Sequence, residues 1–162
     1  MILSVFTLFH VLLSILGILA GFVMVLGLLS VRRPETWTSI FLWTTVLTSV
    51  TGFLFPFHGF RPSYVVGMIS LIVLALAIYA LNGRKLEGGW RRTFVISSVT
   101  ALYLNVFVLV AQLFMKVPAL KALAPTQTEG PFKLTELTVL VIFIILGILA
   151  TRRFRTEELR AA

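Results

Sequence analysis

SVTALYLNVFVLVAQLFMKVPALKALAPTQ, residues 98–127, is the stretch that decides the fold. It begins as an apolar run broken by polar residues at helical intervals. At 3.6 residues per turn, Ser98, Ala101, Asn105, Gln112 and Lys116 fall on one side, while Val, Leu and Phe fill the others. A bilayer core offers no water to such a stripe, so it has to turn toward other helices. Pro118 and Pro125 then mark a loop. The expected fold is all-α, an integral membrane bundle in which residues 1–162 form a single transmembrane domain.

The chain around this stretch agrees. Of its 162 residues 59% are hydrophobic and 12% charged, against about 25% charged in soluble domains. Five segments approach the roughly 17–25 residues of a membrane span: residues 2–29, 37–56, 64–81, 93–115 and 134–151. The first is long enough to require tilt or protrusion; the third and fifth lie near the lower limit. None has the alternation of a strand. The opening MILSVFTLFHVLLS has no Lys or Arg before its apolar run and no small-residue cleavage site after a short core, so it reads as a retained helix rather than a secretory signal.

Basic residues assign an orientation. Arg32 and Arg33, then Arg84, Lys85, Arg91 and Arg92, then Arg152, Arg153, Arg155 and Arg160 fall on one side, while Arg61, Lys116, Lys121 and Lys133 fall on the other. The richer side is the cytoplasmic one, which places the N-terminus outside and the C-terminus inside. Trp37 and Trp90 mark the inner boundary; Phe53, Phe55, Phe57, Phe60 and Tyr64 crowd the outer one. Pro34 suits the first turn of the second helix. Pro56 and Pro62 bracket an outer turn, FPFHGFRPS. The tail FRTEELRAA reads as a frayed helix end.

Several classes of chemistry drop out. A net charge of +8 raises nucleic acid as a partner, but these charges flank apolar runs, so the expected partner is the lipid bilayer. With no cysteine, the chain supplies no disulfide, thiolate metal site or iron–sulfur cluster. With no aspartate, it has no Ser-His-Asp triad. Walker, dinucleotide-binding, zincin and nucleophile-elbow motifs are missing. No metal site and no catalytic residue is expected, and an enzyme is the less favoured class.

One pattern remains. His10 lies about 13 Å below the outer surface by helical rise, Asn105 about 15 Å, and Thr45 and Ser49 about 16 and 10 Å. Helical spacing puts His10, Ser14, Gly17 and Gly21 on one face, with Gly17 and Gly21 forming a GxxxG step that permits close helix approach. Thr45, Ser49, Gly52 and Pro56 share another face, and Glu136 and Gly147 a third. The candidate ligand-binding set is His10, Ser14, Thr45, Ser49, Asn105, Gln112 and Lys116, with Lys116, Glu129 and Glu136 as a charged rim. An intramembrane ionisable residue such as His10 is a site hypothesis by default. The competing reading is interhelical packing through hydrogen bonds of about 0.6–2 kcal/mol each, and threonine hydroxyls also bond their own i−4 carbonyls.

The pocket would suit a quinone head-group, a small polar solute or a proton step. Bis-histidine haem b is disfavoured because His58 sits in the outer turn, leaving His10 with a ligand such as Met68. A copper site from His10, His58, Met68 and Met115 lacks ligand spacing. The loop at 116–133 is either a lid or, with the larger share, a strap between two helix ends. Three functions follow in order: a non-enzymatic membrane subunit or scaffold, pairing with a membrane partner or as a homo-oligomer; a binder of a quinone, haem or lipid-like ligand near His10; and an oligomeric proton or small-solute pathway.

The segments TSVTGFLFPF, YLNVFVLVAQLF and KVPALKALAPTQTEGPF resemble a family of small bacterial inner-membrane proteins with no assigned activity. The resemblance runs over nearly the whole chain. It implies a compact multi-pass helical protein of the bacterial plasma membrane and transfers no site residue.

We expect a reporter fused after Ala162 to be active only in the cytoplasm, and one inserted near Thr128 only outside. Fusion-reporter assays in whole cells check this, and the reversed pattern would overturn the orientation.

Overall fold

The apolar runs become helices because only a helix satisfies its own backbone in lipid. The computed structural model describes residues 2–55 and 62–161. Its elements are α1 (Ile2–Leu29), α2 (Glu35–Phe53), α3 (Pro62–Ile78), α4 (Trp90–Lys116), a short α5 (Pro118–Leu123) and α6 (Gly130–Ala161), with a π-helical turn, Tyr79–Gly83, extending α3. No strand occurs among the described residues. Four helical stretches are long and apolar enough to cross a membrane: Ser4–Leu29, Ser63–Gly83, Trp90–Lys116 and Gly130–Phe154.

The fifth expected span, α2, is not apolar enough to join them, because ETWTSIFLWTTVLTSVTGF is rich in threonine and serine. Those hydroxyls face inward: Thr38, Thr44, Thr45, Thr48 and Ser49 are all buried. The helix is therefore polar toward its neighbours, the reverse of a surface helix in water.

Boundaries shift at several ends. The last helix begins at Gly130 and continues to Ala161, well beyond residues 134–151. The π-helical turn carries α3 past residue 81, and α2 stops at Phe53. Pro34 lies just outside the first turn, extended at φ −72°, ψ 100°; its carbonyl accepts the Thr38 N–H at 2.9 Å. The expectations for Pro56, Phe57, His58, Phe60 and Arg61, and for the side chains of Arg155 and Arg160, lie outside the described residues.

The long helices form a closed ring in which α1 meets α2, α2 meets α3, α3 meets α4, α4 meets α6 and α6 meets α1. The helix carrying the polar stripe, α4, also reaches across to α1 and α2. The GxxxG step permits that approach. A Cβ built on Gly17 would lie 3.0 Å from Thr44 Oγ1, and one on Gly21 would lie 2.6 Å from Leu102 Cδ1 and 2.9 Å from Phe41 Cδ2. From this crossing toward the basic loops Met24, Phe41, Leu74, Phe94 and Leu102 are fully buried and fill the interior.

Those loops gather at one end. Arg91 Nη1 donates to the Phe154 carbonyl at 3.3 Å, and Arg153 Nη1 to the Leu29 carbonyl at 3.5 Å. The Arg84 guanidinium stands over the Trp90 ring at 5.4 Å, and that of Arg91 over Phe154 at 5.2 Å. Such contacts let a guanidinium shed water against an aromatic face.

Overpacking a tight core costs about 1–3 kcal/mol. We expect Gly21→Val to destabilise by that amount, read as a lowered thermal midpoint in detergent. Gly130→Ala, where an added Cβ meets nothing within 4 Å, should leave the midpoint nearly unchanged.

Candidate functional site: a polar cavity among four helices

A cavity of about 110 Å³ lies between α1, α2, α3 and α4. His10 and Ser14 line it from α1, Thr48, Ser49 and Gly52 from α2, Tyr64, Gly67 and Ser70 from α3, and Asn105 from α4. Exposed Phe53 and Ser63 line it as well, so it reaches the surface where α2 ends and α3 begins. Gly67 makes room for the Phe53 ring, whose Cζ would stand 3.1 Å from a Cβ there.

Three hydrogen bonds tie the walls together. His10 Nδ1 is 2.8 Å from Thr51 Oγ1. The Thr51 hydroxyl gives its own proton to the Leu47 carbonyl at 2.7 Å, so the histidine donates from Nδ1 and Nε2 is the acceptor nitrogen of the neutral ring. Asn105 Nδ2 donates to Thr45 Oγ1 at 3.2 Å, and Ser49 Oγ to Ser70 Oγ at 3.2 Å. The edge of the His10 ring meets Phe55 in a T-shaped contact at 5.1 Å and 87°.

Among the described residues one buried polar atom in the wall has no protein partner. Thr48 is 8% exposed, and its Oγ1 makes no hydrogen bond. Thr44 and Thr51 instead follow the back-bonding pattern, donating to Ile40 and Leu47 at 2.6 and 2.7 Å. A buried hydroxyl left without a hydrogen bond costs free energy unless something in the cavity meets it.

The sequence-derived set divides on inspection. His10, Ser14, Ser49 and Asn105 line the cavity. Thr45, fully buried, stands behind Asn105 as its acceptor. Gln112 is half-buried on α4, and neither it nor Lys116 is among the lining residues. Lys116 is exposed on the last turn of α4.

The charged rim does not form. Glu129 turns back on its own loop, accepting the Thr126 hydroxyl at 2.7 Å, the Thr126 N–H at 3.2 Å and the Thr128 N–H at 3.0 Å. The Thr126 hydroxyl, with the neighbouring amides, holds its carboxyl below the usual range. Glu136 is 8% exposed rather than at the surface, and neither carboxyl oxygen has a hydrogen-bond partner. Nor does the loop after α4 cover the cavity. Its Gln127 Nε2 donates to the Ala111 carbonyl at 2.7 Å, and Phe132 packs edge-on against Phe114 at 5.4 Å; no described residue of 117–133 lines the cavity. It is a strap along α4.

The α3 wall is not part of the sequence-derived set. Ser63, Gly67 and Ser70 recur at helical spacing on one face of that helix, and this small-residue stripe was the available signal. Met68 is 57% exposed and is not among the residues that line the cavity with His10. Among the described residues no group of three His, Cys, Asp or Glu side chains is placed to hold a metal. No family model, no curated protein and no solved structure matches the chain.

Proposed function

We propose that this is a multi-pass membrane protein without catalytic chemistry that holds a small polar ligand in the His10 cavity. The observation that carries this reading is the unpaired Thr48 hydroxyl, buried in a wall that also presents His10 and Asn105. The ligand class follows from size and polarity. A cavity of about 110 Å³ is smaller than the ~300–1,000 Å³ typical of drug-sized ligands. It suits a compact solute able to donate to His10 Nε2 and to share a hydrogen bond with Thr48, but not a haem macrocycle.

The scaffold reading has support of its own. The pairs His10–Thr51, Asn105–Thr45 and Ser49–Ser70 are what packing alone would select. Transport through a single copy has less support, because fully buried Met24, Phe41, Phe94 and Leu102 fill the bundle beyond the cavity.

In this proposal α2 is a fifth span, sheltered from lipid on its hydroxyl face. The N-terminus is outside, the basic end is cytoplasmic, and the membrane is a bacterial inner membrane. Membership in the family of small inner-membrane proteins belongs to the same proposal.

Native mass spectrometry of gently extracted protein, with release and identification of retained low-mass species, tests the ligand. We expect one species per chain, retained by the wild type and lost in Thr48→Val and Asn105→Leu variants of unchanged oligomeric state. No retained species, or equal retention by the variants, would overturn the ligand reading and leave the scaffold.

A further inference from the structure

The opposite side of α4 carries a second concavity. A groove of about 660 Å³ runs between α4 and α6, from Arg92 and Arg152 at one end to Tyr103 and Leu140 at the other. We propose that this groove seats one anionic phospholipid of the surrounding bilayer, its acyl chain along the helices and its phosphate at the two arginines.

Shape and chemistry both point there. Gly147 leaves a notch in α6, where an added Cβ would come 3.6 Å from Val99 Cγ1. Between the arginines and Tyr103 the two threonine hydroxyls are spent on their own helices: Thr100 donates to the Ile96 carbonyl and Thr151 to the Gly147 carbonyl, each at 2.7 Å. The middle of the groove is thus apolar in effect. Measured along α4 from Arg92 to Tyr103, its length is about 16 Å by helical rise, close to one leaflet of a hydrocarbon core roughly 30 Å thick. An occupant therefore has to be apolar for one leaflet's depth and charged only at the end.

The sign of that charge is set by the arginines. Arg92 and Arg152 are exposed, and none of the described residues lining the groove is acidic. A guanidinium fork matches a phosphate, and basic residues at a membrane surface favour a headgroup whose phosphate charge is not offset by an ammonium. A protein helix laid in the groove would need an acidic residue at one end only, whereas a phospholipid has that pattern by construction. The site is independent of the His10 cavity, which lies across α4.

Delipidated protein in detergent, titrated with a phosphatidylglycerol and with a phosphatidylcholine of identical acyl chains and read by native mass spectrometry, tests the proposal. The wild type should retain the phosphatidylglycerol on the order of tenfold better. The double variant Arg92→Gln with Arg152→Gln should lose that preference. Lys85→Gln, which removes a charge from the same end but outside the groove, should keep it. Gly147→Leu should weaken both lipids by filling the notch. A wild type with no preference, a preference that survives in the double variant or falls equally in Lys85→Gln, or a Gly147→Leu variant that binds both lipids normally would each overturn the proposal.

Discussion

A polar side chain inside a hydrocarbon layer has no solvent to fall back on, so it meets another polar group or pays for desolvation. That constraint sets the arrangement of this bundle. Asn105 on α4 finds Thr45 on α2, His10 on α1 finds Thr51 on α2, and Ser49 on α2 finds Ser70 on α3. Each pair joins a different couple of helices, and α2 belongs to all three. The long helix that falls short of a span in hydropathy is therefore the one that ties its neighbours together. Gly17 and Gly21 complement it by letting α1 lie close to α2 and α4.

The same constraint divides the bundle along its length. Toward the turn between α2 and α3 the interior is lined with hydroxyls, an amide and an imidazole around a cavity. Toward the basic loops it is filled by Met24, Phe41, Phe94 and Leu102. A polar recess open at one end and stoppered at the other favours holding a ligand over passing it through. On the far side of α4 lies a groove whose charges, among the described residues, are two arginines at its end. One helix thus serves two chemistries, with Asn105 lining the cavity and its apolar face bordering the groove.

Much of this was legible in the sequence. Helix existence followed from hydropathy alone, because lipid leaves so few alternatives for the backbone. The inward turn of Ser98, Ala101 and Asn105 followed from their spacing, and all three are buried. Other features were not legible, for identifiable reasons. Whether α2 counts as a span depends on which way its hydroxyls face, and composition does not encode that. Position near a helix start suggested that Glu136 would reach the surface, yet α6 begins at Gly130 and places this carboxyl between helices. Glu129 was assigned by proximity to a rim, but local hydrogen bonds to Thr126 and Thr128 claim it first. The α3 contribution went unread because serine and glycine carry little signal until a neighbour packs on them.

The most direct measurement is a double-mutant cycle on the Asn105–Thr45 pair, using Asn105→Leu, Thr45→Val and the combination, with reversible unfolding followed in mixed micelles or bicelles. If hidden polar groups hold the helices in register, the coupling energy should fall at about 0.6–2 kcal/mol, and the double variant should cost less than the sum of the singles. Strictly additive losses, with no coupling between the two sites, would contradict the idea that this contact organises the bundle.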